Sequence, residues 1–506
     1  MLSTVDLLLN GFAQALTPTN LLFALIGSLL GTLVGVLPGI GPTSGIAILL
    51  PLTSFLAPTP AIIMLAAIYY GAMYGGSTTA ILINIPGEVS SVVTALDGYQ
   101  MARQGRAGPA LAIAAVSSFA AGTLGIVGLT FFAPPLADVA LTIGPPEYFG
   151  IVVLALSVVV SLSGPSLRKG FISAALGGLI SLVGLDQISG QKRFTFGSAE
   201  LVGGVDFIAV IIGLFAIAEV LRNIEEETPA IYDAPLTHLL PRWRELKDCV
   251  GSILRATGIG FFLGILPGCT PAAISFISYD VERRVSRNRE QFGKGAIQGV
   301  AAPEGANNAT TSSGFVPLLA LGIPPTPALA VLLSGLMIYG LQPGPLLFEK
   351  QPEFVWTVIA SMYVGNVMLL ILNLPLVGLW AKLVAVPYHI MGPLILLFSV
   401  IGAFSARNNF FDVWVAIGFG FLGYLMDKAK IPASPMVLAL ILVPMLEGAL
   451  RQSLDMAAGS PILLVTRPVA LAFLLAGIAM SGLSLYARYR KPQIQEYLLG
   501  DETELS

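Results

Sequence analysis

The chain has 506 residues, 55% of them hydrophobic and only 11% charged, with a mean hydropathy of +0.83. A soluble domain carries about 25% charged residues, so the composition excludes a soluble globular protein and points to one embedded in a membrane. The net charge of −3 says little by itself, and no nucleic-acid partner is expected from it.

The first twenty residues, MLSTVDLLLNGFAQALTPTN, lack a basic n-region and a convincing cleavage site, so no removable signal peptide is expected. Apolar runs follow at 21–37, 60–85, 110–133, 148–163, 206–221, 354–381 and 463–487. Each is long enough, or nearly so, to cross a hydrocarbon core about 30 Å thick as a helix. Alternating ten-residue strands, the mark of an outer-membrane barrel, are absent from the sequence. The expected fold is an all-α polytopic membrane protein.

The first apolar run ends in GVLPGIGPTSG, 35–45. Proline removes a backbone donor and glycine favours non-helical dihedrals, so the helix should unwind here. Unwound backbone inside a bilayer is tolerated where it is buried in protein or faces a water-filled cavity. A helix restarting at Pro42-Thr43-Ser44 would turn free N–H groups and a positive dipole end inward, an arrangement that attracts carboxylates. These three residues and Gly39 are therefore candidate substrate contacts. The next run closes on a polar strip, GGSTTAILINIPGE (75–88), whose Ser77, Thr78, Thr79 and Asn84 are added to that set.

The same two features recur later and in the same order. GILPGCTPAAI (264–274) repeats the Pro-Gly break and nominates Gly268, Thr270 and Pro271. EGANNATTSS (304–313) repeats the polar strip and nominates Asn307, Asn308, Thr310, Thr311 and Ser312. Placing Pro38 over Pro267 aligns Gly31 with Gly260, Gly35 with Gly264 and Pro42 with Pro271. Gly71-Ala72 then matches Gly305-Ala306, and Ser77-Thr78-Thr79 matches Thr311-Ser312-Ser313. Two features in one order indicate a duplicated unit.

Basic loops prefer the cytoplasm. Arg103 and Arg106 follow the polar strip in the first half, whereas VERRVSRNREQFGKG (281–295) follows the Pro-Gly break in the second. Equivalent loops thus fall on opposite sides, as in an inverted-topology repeat with its binding site near the midplane. The expected division is a first membrane repeat over 1–222, a cytoplasmic linker over 223–250, a second repeat over 251–487 and a cytoplasmic tail over 488–506. Lys192-Arg193 and Arg407 run against the charge rule.

Neutral hydroxyls and amides can hold carboxylate oxygens and, with carbonyls, a Na⁺ ion. The bland alternative is that small polar residues glue helices together, and for Ser77 or Thr311 alone that role is favoured. Charged residues inside apolar sequence are functional candidates by default. Glu304, beside the second strip, is the best of them, and with Asn308 and Ser313 it is the expected ion-coupling site. Asp206, Glu219 and Glu447 lie nearer segment ends. Arg283, Arg284, Arg287 and Arg289 read as a topology determinant. FGKGAIQ (292–298) lacks the leading glycine and the Ser/Thr of a nucleotide-binding loop. No GxSxG is present, and His238 and His389 stand alone. Cys249 and Cys269 are too far apart for metal-ligand spacing. No enzyme, no cofactor and no resident metal are expected, leaving Na⁺ or H⁺ as a coupling ion.

GVLPGIGPTSGIAILLP, YYGAMYGGSTTAILINIPGE with the following ALDGYQMARQGRAG, and GILPGCTPAAISFISYDVERR resemble the TctA family, from about residue 20 to the final segments. That family supplies the large membrane subunit of bacterial tripartite tricarboxylate transporters. The resemblance implies a multi-pass protein of the bacterial inner membrane with two partners, a small TctB-like membrane subunit and a periplasmic TctC-like binding protein. It implies import of an organic carboxylate such as citrate, or a related di- or aromatic carboxylate, driven by an ion gradient without ATP. The other reading left open is a non-transporting scaffold or receptor for a periplasmic binding protein.

Overall fold

The computed structural model describes all residues except 1–2, 38–39, 54, 163, 165, 187, 225–239, 384–387 and 491–506. The expected Gly39 contact, most of the linker and the tail therefore lie outside the described residues. In chain order the helices are α1 (Thr4–Ala15), α2 (Pro18–Val36), α3 (Pro42–Thr53), α4 (Pro58–Ile83), α5 (Val92–Arg103), α6 (Ala107–Leu141), α7 (Pro145–Leu162) and α8 (Leu167–Ser181). A small hairpin follows, β1 (Gly184–Leu185) paired antiparallel with β2 (Lys192–Arg193). Then come α9 (Phe207–Ile211), a π-helical turn over Ile212–Ile217, α10 (Ala218–Asn223), α11 (Trp243–Gly264), α12 (Pro271–Val285) and α13 (Ile297–Ser313). The remainder are α14 (Phe315–Leu321), α15 (Pro327–Ile338), α16 (Pro345–Lys350), α17 (Pro352–Asn373), α18 (Val377–Leu383), α19 (Tyr388–Arg407), α20 (Phe410–Lys428), α21 (Ser434–Met456), α22 (Ile462–Thr466) and α23 (Pro468–Arg490).

Among the described residues, 9 helices are long and apolar enough to cross a membrane. The chain is thus an all-helical, polytopic membrane protein. The expected span 206–221 is not one of the 9, because the π turn divides it into short helical pieces. Helix α11 begins at Trp243, within the expected linker.

The chain forms two compact units. The first holds residues 1–140, 208–265 and 271–424. Its centre is α4, which carries no charged side chain and is buried throughout Pro60–Ile83. Helix α2 lies against it along a glycine stripe. An added Cβ on Gly27, Gly31 or Gly35 would come within 2.5 Å of Met64 O, 2.6 Å of Ile68 O and 2.1 Å of Ala72 O, respectively. Small residues one turn apart let two backbones approach this closely. Helix α11 meets α13 in the same manner: a Cβ on Gly260 would reach 2.4 Å from Ala306 O, and one on Gly264 would reach 2.8 Å from Thr310 Cα.

Helix α13 is polar yet buried from Gly299 to Ser313. Neighbouring helices also hydrogen-bond to its backbone carbonyls around Pro303. Ser117 donates to Ala301 O (2.6 Å), Ser278 to Ala302 O (3.0 Å) and Ser275 to Pro303 O (3.2 Å).

The second unit holds 141–207, 266–270 and 425–506. Gly177 of α8 sits against Met436 O of α21, with room for no side chain (Cβ at 2.1 Å). Arg193, Asp186, Glu447 and Arg451 close a four-membered ring of ion pairs, with Arg193–Glu447 at 2.9 Å, Arg451–Asp186 at 2.9 Å and Arg451–Glu447 at 2.6 Å.

Candidate functional site

Two buried carboxylates organise the polar centre of the first unit. Glu304, on α13, is 1% exposed. Thr94 of α5 donates to its Oε1 at 2.5 Å, and Ser118 of α6 donates to Oε2 at 3.2 Å. Asn308, one turn further along α13, donates to Ser118 Oγ at 2.8 Å and to the Glu304 carbonyl at 3.1 Å. Ser77 of α4 is buried with its hydroxyl beside the Glu304 carboxylate.

The second carboxylate, Glu88, is the residue that sequence reasoning missed. Helix α4 ends at Asn84, which adopts a left-handed conformation (φ 57°), and the chain doubles back across the helix it has just left. Gly87 N–H donates to Gly76 O at 3.3 Å. A Cβ on Gly76 would lie 2.7 Å from Glu88 Cγ, and one on Gly87 only 1.9 Å from Gly35 O. The glycines therefore permit the return, and the return carries Glu88 into the protein. Ser90 N–H donates to its Oε2 at 2.9 Å and Ser90 Oγ donates to Oε1. Asn307 Nδ2 reaches Glu88 Oε1 at 3.4 Å and Met73 O at 3.3 Å. The signal was present, an acid directly after Pro86-Gly87 in an uncharged stretch. Sequence spacing does not reveal that the segment folds inward.

Consecutive asparagines thus serve different acids: Asn307 faces Glu88, and Asn308 faces the Glu304 group. Successive residues of a helix point about 100° apart, which separates the two groups. Asp97 of α5 is a second buried acid absent from the expected set. It accepts from Tyr279 Oη, Gly295 N and Ala296 N, each at 2.8 Å, and so fixes the helix that presents Thr94.

The other expected residues fall into distinct places. Thr310, Thr311, Ser312 and Ser313 turn their hydroxyls to backbone carbonyls, Thr310 to Ala306 O (2.7 Å), Thr311 to Asn307 O (2.9 Å), Ser312 to Gly122 O (3.1 Å) and Ser313 to Thr310 O (3.2 Å). Thr78 and Thr79 are buried on α4, and Thr79 donates to Gly76 O at 3.2 Å. Asn84 is exposed and caps α4, outside the buried cluster. Pro42, Thr43 and Ser44 form the first turn of α3, with Ser44 buried. Pro271 opens α12 in the first unit. Gly268 and Thr270 belong to the second unit, where Gly268 has φ +84° and packs against the Val159 backbone.

Among the described residues, no group of three or more His, Cys, Asp or Glu side chains is placed to hold a metal. A cavity of about 470 Å³ in the second unit is lined by Leu182, Val205, Phe207 and Leu440 together with Arg193, Asp186 and Glu447 of the ion-pair ring. Its arginine, Arg193, is already balanced by Asp186 and Glu447, so it offers an anion no net positive charge.

Residues 21–438 match the Tripartite tricarboxylate transporter TctA family. The chain belongs to the TctA family. It is therefore a transport protein, a component of a tripartite tricarboxylate transport system. The chain is 45% identical, over 99% of its length and the whole of the relative, to an uncharacterized 52.8 kDa protein in the TAR-I ttuC' 3'region of Agrobacterium vitis. An uncharacterized protein in the TAR-II ttuC' 3'region of the same organism is 41% identical over its full length, which corresponds to 48% of this chain. No solved structure matches.

Proposed function

We propose that this TctA protein imports an organic carboxylate, a tricarboxylate such as citrate or a related di- or aromatic carboxylate, by coupling to a Na⁺ or H⁺ gradient. The carboxylate is handed over by a periplasmic binding protein, and a small TctB-like subunit completes the assembly in the bacterial inner membrane. The observation that carries this reading is the pair of buried acids, Glu88 and Glu304, with no Lys, Arg or His beside either among the described residues. An uncompensated buried charge is strongly unfavourable. A carboxylate substrate approaching to about 6 Å would add roughly 3 kcal/mol of repulsion per fixed charge at an effective dielectric of about 20. Cations that neutralise the acids remove that barrier, so cation and anion enter together.

Inward hydroxyls and amides then supply neutral donors to the substrate, with Ser77, Asn307 and Asn308 nearest the acids and the restarts at Pro42 and Pro271 supplying free N–H groups. The inverted repeat, over 1–222 and 251–487 with the linker and tail cytoplasmic, is part of the same reading. The matched glycine packing of α2 on α4 and of α11 on α13 supports it. Reconstituted vesicles containing the small subunit and loaded binding protein should accumulate labelled carboxylate only under an inward Na⁺ or H⁺ gradient. Accumulation that needs ATP and no gradient would refute the proposal.

A further inference from the structure

We propose that Glu88 and Asn307 form a Na⁺ site of their own, separate from the Glu304 group, so that the first half and the second half each contribute one coupling carboxylate. This deepens the ion-coupled reading above and rests on it. The argument begins with the Asn307 amide. Its Nδ2 faces two acceptors, Met73 O and Glu88 Oε1. A flipped amide would set oxygen against oxygen at both, so the orientation is fixed by its neighbours. Asn307 Oδ1 is then left without a donor, in a residue 1% exposed. Buried carbonyl oxygens almost always have a partner, and an orphan beside a carboxylate is what a cation ligand looks like when viewed from the protein.

The other groups at this place have the same character. Tyr69 Oη, a neutral oxygen buried near Thr311, Thr326 and Glu88, is one of them. Glu88, Asn307 and Tyr69 offer only oxygen lone pairs, which selects a hard cation. One carboxylate with neutral oxygens is too little charge and too few ligands for Ca²⁺, which takes 6–8 oxygens, several of them carboxylate. A proton is the remaining competitor, bridging Glu88 to Asn307 Oδ1. Glu88 Oε2 accepts from the Ser90 N–H at 2.9 Å, and Oε1 accepts from Ser90 Oγ and Asn307 Nδ2. A backbone N–H can only donate, so both carboxylate oxygens already face donors and neither is turned to share a proton with Asn307 Oδ1.

The test is ²²Na⁺ binding to the purified full-length chain, together with the Na⁺-dependent rise of its unfolding midpoint, with K⁺ as the control salt. Wild type should bind Na⁺ saturably. Glu88→Gln and Asn307→Ala should each raise the half-saturating Na⁺ concentration at least tenfold, while Asp280→Asn, which removes a half-buried acid paired with Arg284 on α12, should not change it. If Glu88→Gln gives no folded chain, Asn307→Ala decides. Wild-type Na⁺ affinity in the two variants, or no Na⁺ binding by wild type, overturns the assignment. Gradient-driven uptake that persists beside unchanged Na⁺ binding in the variants would sink this site alone. Uptake independent of any gradient would sink the ion-coupled reading itself.

Discussion

Replacing Gly87 with alanine probes the loop that carries Glu88 without touching the acid. The added Cβ would lie 1.9 Å from Gly35 O and 2.8 Å from Gly76 Cα. Carbon and oxygen settle no closer than about 3.3 Å, so the loop must move away from α2 by roughly 1.4 Å. Both obstacles are backbone atoms in tightly packed helices, and neither can rotate aside. Overpacking of this kind costs about 1–3 kcal/mol, which lowers the unfolding midpoint measurably. The functional consequence is larger. The Asn307–Glu88 contact is already 3.4 Å long, so a displacement of that size breaks it. Misplacing a group by about 1 Å at a working site costs on the order of 100-fold in rate. Carboxylate uptake into reconstituted vesicles should fall by about that factor. Gly258→Ala is the control, because a Cβ there meets nothing within 4 Å and alanine suits a helix better by about 1 kcal/mol. Wild-type uptake and unfolding in Gly87→Ala would refute the geometry on which the inward placement of Glu88 depends.

Glu304→Gln keeps one oxygen to accept from Thr94 and turns an amide N–H₂ to the Ser118 hydroxyl oxygen, but removes a buried charge. Uptake should drop at least 100-fold while the unfolding midpoint holds or rises, and a drop in both would mean that the acid is structural. Gly268→Val forces a β-branched residue into φ +84° with its Cβ 2.5 Å from Val159 Cα. About 1–2 kcal/mol of backbone strain adds to the clash, so the variant should insert normally, unfold earlier and lose transport; normal uptake would remove the role given to this break. Outside the candidate spans, the Ser189 hydroxyl, the Ile188 N–H and Arg451 hold the Asp186 carboxyl well below its usual range. A lowered folded-state value means that the stabilisation is present above the unfolded value of about 4 and lost as pH falls below it. The unfolding midpoint of wild type should therefore decline more steeply between pH 5 and about pH 3 than that of Asp186→Asn, and parallel curves would exclude the ring as the cause.

Much of this protein is legible one segment at a time. Long apolar runs must be helices because in a bilayer only helices and closed barrels satisfy the backbone's hydrogen bonds, and these runs lack the alternation of barrel strands. Glu304 stood out because charge is so costly in such a run. The family, too, was legible, since the motifs around Pro38 and Pro267 are long enough to be distinctive. The roles within the polar strips were not. Thr310 and Asn307 are both buried polar residues on one helix, and only their neighbours separate them: a carbonyl for the threonine, a carboxylate for the asparagine. Glu88 shows the same limit more plainly. In sequence it is the end of a strip, four residues past the last cap of α4. The glycine contacts at Gly35, Gly76 and Gly87 fold it back against that helix. Composition and periodicity determined what each segment is made to be, because those are local properties of solvation and backbone geometry. Which polar atom faces which depends on contacts between segments more than 200 residues apart, such as Thr94 with Glu304, and that was decided only when the helices packed.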